Sequence, residues 1–317
     1  MSLKEEVGDG FPHLLLKGKK MEEFLGEFSS FVMIGLVNGL VYAVVALGFT
    51  LVLGVMQVIN FTHGVLFAFG AYFAFTAQRY FNLPFWVGLV FAPILVGVLG
   101  ILLERLAIRK TYGGNPLFGL LLTFGMATAL EAVIRMVPIW GKVGYSVKAP
   151  EFVAGSIELG FMTYSKYRLF LAVLAILIIF MTWLFLEKTP YGGIIKAGAY
   201  DSEMIMALGK NLPRLRMYVF GLGAILAGVA GVIAAPIYSV KPAMGTDILM
   251  PAFLIVVLGG IGSFWGSVIG GLIVGMSKSM IVMVFPRAED IIPYVIMALI
   301  LIFRQRGLMG EKSVLEA

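Results

Sequence analysis

Cysteine is absent from this 317-residue chain, histidine occurs twice, and Asp, Glu, Lys and Arg together make up only 13% of it. Without cysteine there is no disulfide framework, thiolate nucleophile or Cys-ligated metal. His13 and His63 are far apart, and neither has a carboxylate or second histidine at helical ligand spacing, so no zinc site is expected. Nor do they stand in a context from which a Ser-His-Asp arrangement can be built. The phosphate loop Gly-x-x-x-x-Gly-Lys-Ser/Thr is missing too: Gly18-Lys19, Gly141-Lys142 and Gly209-Lys210 all lack the following Ser or Thr. Any ATP hydrolysis therefore belongs to another chain. So low a charge content cannot coat a water-exposed surface of this size.

What fills the sequence instead is apolar: 60% hydrophobic residues, 39 glycines and a mean hydropathy of +0.97. Crossing a hydrocarbon layer of about 30 Å takes about 20 helical residues. Uncharged apolar runs near that length occupy about 31–57, 62–78, 84–103, 117–137, 169–186, 217–235, 248–262, 264–285 and 287–303. Continuous runs of this kind exclude the weak alternation of a β-barrel. The expected fold is an all-α polytopic membrane protein with eight or nine transmembrane helices, some broken or short. Residues 1–30 read as a polar, solvated tail, with six acids, four lysines and only the short apolar run Leu14 to Leu16, too little for a signal peptide. Residues 31–303 form the transmembrane domain, and 304–317 a second tail.

The formal net charge of +6 comes from basic residues in short segments between the runs, which the positive-inside rule explains without nucleic acid. Arg105, Arg109 and Lys110 in 104–115, the basic flanks of 187–216, and Arg304, Arg306 and Lys312 place these three segments on the cytoplasmic side. Span parity agrees. The 138–168 loop then falls outside although it carries Lys142, Lys148, Lys166 and Arg168. The side of the N-terminus depends on whether three separate spans precede residue 104.

Four features are candidates for function. Asn60, Thr62, His63 and Gly64 interrupt two apolar runs, either as a polar turn or as a discontinuous helix lining a solute route. Glu131 and Arg135, at i and i+4 in a span, form an intramembrane ion pair, either structural or a gate. Lys278 has no evident partner. Segment 187–216 is too long for a connector; Pro190, Gly192 and Gly193 suggest a turn, and Ala197 to Leu208 a short helix ended by Gly209. Its Met204, Ala207 and Leu208 suit docking into a groove of another subunit. Gly259, Gly260 and Gly262, with Gly266, Gly270 and Gly271, miss the dinucleotide spacing and suit close helix packing.

The succession Ile59-Asn60-Phe61-Thr62-His63-Gly64, Thr189-Pro190-Tyr191-Gly192, Lys196-Ala197 through Asp201, Met204, Leu208-Gly209 and Asn211, then Val257 to Ser263 with Gly266 and Gly270-Gly271, resembles the branched-chain amino-acid permease family of bacterial ABC importers. The resemblance implies a multi-pass permease of a bacterial or archaeal plasma (inner) membrane, surrounded by lipid and acting without catalysis or cofactor of its own. It implies two ATPase subunits that bind the ATP, a second permease, either self or paralogue, and a periplasmic substrate-binding protein. It also implies that Ala197 to Asn211, with Ala197, Asp201, Met204, Ala207, Leu208 and Gly209, is a coupling helix. The chain departs from the family pattern at Thr62, Tyr200 and Lys210. An ion-coupled secondary transporter working without an ATPase is the competing expectation.

Overall fold

The computed structural model describes residues 10–140, 144–158 and 162–310. Lys142, Lys312 and the first nine residues of the polar tail lie outside them. Each of the nine apolar runs carries a helix. They are α1 (Gly10–Met56), α2 (Thr62–Phe81), α3 (Phe85–Leu106), α4 (Pro116–Met136), α5 (Lys166–Lys188), α8 (Leu212–Ala234), α9 (Met244–Gly259), α10 (Phe264–Val284) and α11 (Ile292–Phe303). Two short helices, α6 (Pro190–Tyr200) and α7 (Ser202–Ala207), fill the long polar segment. Among the described residues, six helices are long and apolar enough to cross a membrane, and α9 and α11 are shorter apolar ones. The only strands described, β1 (Ser156–Glu158) and β2 (Thr163–Ser165), pair antiparallel in the 137–165 connection.

Several boundaries depart from the sequence expectation. The chain does not break at residue 30: α1 runs unbroken for 47 residues, about 70 Å at 1.5 Å per residue, far more than a bilayer needs. The run expected over 248–262 begins at Met244 and ends at Gly259. Pro190 opens a helix rather than a turn, since its missing N–H is no loss at the first helical position and Thr189 Oγ1 accepts from the Gly192 N–H.

Helices α1, α2 and α8 are the buried centre. α2 buries every residue from Thr62 to Tyr72, and the most apolar windows of α1 and α8 are 78% and 72% buried, against 17% for α4, which leaves its Leu117, Phe118, Leu121 and Phe124 facing outward. Glycine makes the central contacts possible. A Cβ on Gly48 would meet the Gly223 carbonyl oxygen at 2.8 Å, and one on Gly271 would meet the Ala43 backbone N at the same distance. These contacts join α1 to α8 and to α10, and small residues permit such approach where lipid provides no hydrophobic drive between helices.

The three basic segments gather at one end of the bundle. Arg109 Nη2 donates to the Pro213 carbonyl at 3.3 Å, Gly54 faces Gly262 and Ala199, and the 306–310 backbone packs on Gly260. At the opposite end, Ser279 Oγ donates to the Phe31 carbonyl (2.5 Å) and Tyr238 OH to Asn38 Oδ1 (2.8 Å). The apolar part of α1 thus enters at the end away from the basic segments, the geometry of three separate helices before residue 104.

Candidate translocation and coupling site

Between α1 and α2 the chain leaves helical geometry at Gln57 (φ 54°) and passes along α4. The Ile59 carbonyl accepts from Thr123 Oγ1 at 3.0 Å, and Gly119 leaves room for Val58. Asn60 Oδ1 then accepts from the Thr62 backbone N–H (3.0 Å) and Thr62 Oγ1 (2.5 Å), supplying the first turn of α2 with an acceptor. The Thr62 hydroxyl, a departure from the family pattern, is therefore held by its own motif. His63 is fully buried: its Nε2 donates to the Val45 carbonyl at 3.0 Å, and its ring meets Phe49 edge-on at 5.3 Å. Gly64 lies against Gly245 and Leu249 of α9. Asn60, Thr62, His63 and Gly64 thus join α1, α2 and α9 deep in the bundle, leaving Asn60 Nδ2 and His63 Nδ1 buried without partners among the described residues.

The ion pair expected on α4 is present, with Arg135 Nη2 2.6 Å from Glu131 Oε1. Glu131 Oε2 also accepts from Thr246 Oγ1 at 3.0 Å, so the pair ties α4 to the start of α9. Lys278 does have partners, contrary to expectation: its Nζ is 3.0 Å from Asp290 Oδ1 and 3.4 Å from Glu289 Oε1. Both acids come from the connection after α10, beyond the reach of helical spacing.

The glycine stretch divides into two roles. Gly259 and Gly266 are in mutual backbone contact, Gly270 faces Ile255 and Leu258 on α9, and Gly271 faces α1. Gly260 (φ 101°) and Gly262 (φ 83°) instead shape the turn between α9 and α10, a correction to their expected place in helix packing. That turn is covered by the C-terminal segment, whose Leu308 and Met309 N–H groups donate to the Leu258 and Gly259 carbonyls at 2.8 and 2.9 Å.

The single helix expected over Ala197 to Leu208 is two helices. Asp201 interrupts it and caps α7, its Oδ1 accepting from the Met204 N–H at 2.9 Å, because a short carboxylate at that point competes for the backbone. α6 is anchored to the bundle: Ile195 is buried with Val55, Leu186 and Val219, Gly198 meets Leu215, and Ala197 is half-buried. α7 is displayed. Ile205 points inward at 3% exposure, while Met204, Met206, Ala207 and Leu208 lie exposed, and Gly209 turns the chain with φ 75°.

One group at this end lay outside the expected sites. Glu104 belongs to the last turn of α3 and is fully buried. Its Oε1 accepts from Arg109 Nε (3.2 Å) and Tyr112 OH (3.1 Å), and its Oε2 from Arg109 Nη2 (3.0 Å). Arg216 of α8 places its guanidinium 4.6 Å from the Tyr112 ring centre. Burial and the neighbouring carboxylate push the Tyr112 phenol up, so its hydroxyl stays a donor. Removing one partner from a buried pair of this kind costs about 3 to 5 kcal/mol. The sequence signal was that Glu104 is the sole acid in the basic segment 104–115.

The family of branched-chain amino-acid transport-system permease components matches residues 31–301, from within α1 to within α11. The chain is 31% identical to the high-affinity branched-chain amino acid transport system permease protein BraD of Pseudomonas aeruginosa, over 88% of this chain and 95% of the relative. It is 29% identical to the permease protein LivH of Escherichia coli K12, over 88% and 94%, and 24% identical to that organism's permease protein LivM, over 85% and 68%. No solved structure matches. The match across the bundle, with the Asn60 to Gly64 junction at its centre and the α6–α7 segment at its basic end, places this chain in the permease family of branched-chain amino-acid ABC transport systems.

Proposed function

We propose that this chain is one transmembrane half of an ABC importer for a branched-chain amino acid or a similarly small polar solute. The family match over 31–301 carries the reading. The solute crosses unchanged; the work lies in exposing its route to one side at a time. Two observations support a route at the α1–α2–α9 junction: the helix break at 57–61 and the buried, unpartnered Asn60 Nδ2 and His63 Nδ1, which a solute or water can satisfy when the helices part.

ATP energy enters through partner ATPases, for which the exposed apolar α7 is the docking element. A second permease completes the pathway. The similarity to both LivH and LivM, two permeases of one named system in Escherichia coli, supports a related paralogue in that place. A binding protein delivers the solute to the end opposite α7. The test is reconstitution in vesicles with the ATPases, the partner permease and the binding protein: uptake of radiolabelled leucine requiring ATP supports the reading. Gradient-driven uptake by the chain alone overturns it in favour of a secondary transporter.

A further inference from the structure

We propose that Glu104, Arg109, Tyr112 and Arg216 form the joint through which α3 is made to follow α8 when the coupling helices move, which makes them positioning residues for transport. The inference rests on the importer reading, since it presumes a push arriving at α7.

The path of that push is short. Only residues 208–211 separate α7 from α8. The cluster grips α8 in its first turns: Arg109 donates to the Pro213 carbonyl, and Arg216 lies on Tyr112. Its other half, Glu104 and Arg109, belongs to the end of α3 and the 3-10 turn after it. Further along, the same two helices touch backbone to side chain. A Cβ on Gly97 would meet Ile225 at 2.6 Å, one on Gly100 the Ala224 Cβ at 2.5 Å, and one on Gly221 Ile101 at 2.8 Å. Helices so closely seated move together provided that their shared end is locked. α8 in turn touches α1 and α2, through Gly48 against Gly223 and Gly70 against Gly228, so displacement of the α3–α8 pair reaches the junction at His63.

The chemistry suits a joint better than a stability device. Well-packed apolar residues of similar volume generally stabilise a buried site as well as an ion pair does. A guanidinium fork on a carboxylate, with a phenol on the same carboxylate, instead fixes direction, because each hydrogen bond weakens steeply with angle. Here the fork holds α3 and a third donation holds α8.

The test uses the complete complex in vesicles and reads solute uptake and ATP hydrolysis together. The variants are Glu104→Gln, Tyr112→Phe and Arg216→Gln. Hydrolysis is expected to stay within about twofold of wild type while uptake per ATP falls about tenfold, the order set by loss of a buried charge-assisted hydrogen bond for Glu104→Gln and Tyr112→Phe and by loss of the cation–π contact on Tyr112 for Arg216→Gln. Because the chain has no cysteine, Tyr112→Cys with Arg216→Cys can be bridged by a short bifunctional thiol reagent. Bridging is expected to restore uptake per ATP in complexes already assembled, a recovery that a merely structural role does not give. Proportional loss of uptake and hydrolysis, unchanged uptake, or a bridged variant that stays uncoupled overturns the joint. If Glu104→Gln does not assemble, Tyr112→Phe and the cysteine pair decide. ATP-driven uptake by wild type with unaffected variants removes the joint alone; uptake by the wild-type chain without ATPases removes the importer reading.

Discussion

Gly64 and Gly245 occlude each other: a Cβ on Gly64 would lie 2.2 Å from the Gly245 carbonyl oxygen, and one on Gly245 would lie 2.6 Å from that of Gly64. The start of α2 therefore rests directly on the start of α9, backbone on backbone. Gly64→Ala is expected to destabilise the chain by about 1 to 3 kcal/mol or more, since neither carbonyl can move without its helix. Gly125→Ala is the control, because nothing lies within 4 Å of its added Cβ. Thermal unfolding in detergent compares the two; equal midpoints would show that the helices part freely here.

Asn60 and His63 differ in what they hold. Asn60→Ala removes the acceptor for the Thr62 N–H and is expected to cost about 1 kcal/mol while leaving the protein in the membrane. His63→Ala empties a fully buried site and is expected to cost about 2 to 5 kcal/mol. Both should lower leucine uptake in vesicles matched for inserted protein. Normal uptake by both would reduce the 57–64 stretch to a connecting turn.

The periodic and compositional signals carried the helices: lipid-length runs locate all nine, and small-residue spacing anticipated contacts such as Gly271 on α1. Contacts between distant segments left little trace. Lys278 looks solitary because Glu289 and Asp290 reach it across a turn, and Glu104 looks like part of a loop because its partners Arg109 and Tyr112 lie outside i+4 spacing. The Asn60 to Gly64 break was visible as polarity inside apolar sequence, yet Gly245, its neighbour in α9, and Thr246, the partner of Glu131, carry no local mark. Asp201 was legible as part of a polar segment but not as the cap that splits it, since capping competes with helix continuation over a single residue.

On α7, exposure separates docking from folding. Ala207→Glu and Leu208→Asp alter outward-facing positions, so insertion and thermal stability should stay near wild type. A charge desolvated in a partner's groove without a counterion costs about 1 to 3 kcal/mol. Co-purification with the ATPases and stimulated ATP hydrolysis should therefore fall together. Ile205→Asp, at a buried position, should instead unseat α7 and lower the stability of the chain by itself. Undiminished co-purification of the Leu208→Asp variant would move the docking surface elsewhere.

The turn between α9 and α10 allows a sharper test because two costs meet at one atom. Gly260 has φ 101°, a conformation side chains rarely adopt, and its Cβ would lie 2.5 Å from the Gly310 backbone N and 2.9 Å from the Arg306 carbonyl oxygen. Gly262 has φ 83° but open space around it, so Gly262→Ala should carry only the conformational cost, about 1 to 3 kcal/mol. Gly260→Ala should cost more, by the contact with the C-terminal segment, and Gly260→Leu should lower the yield of assembled complex, as should Gly270→Leu against Ile255 and Leu258. Deleting residues 304–317 takes away the clash along with the Leu308 and Met309 hydrogen bonds. In the truncated chain, Gly260→Ala should then cost no more than Gly262→Ala. A double-mutant cycle on thermal midpoints measures this non-additivity, expected at about 0.5 to 3 kcal/mol for groups in contact. Strict additivity would mean that the C-terminal segment does not rest on the turn, leaving the basic end open where the geometry closes it.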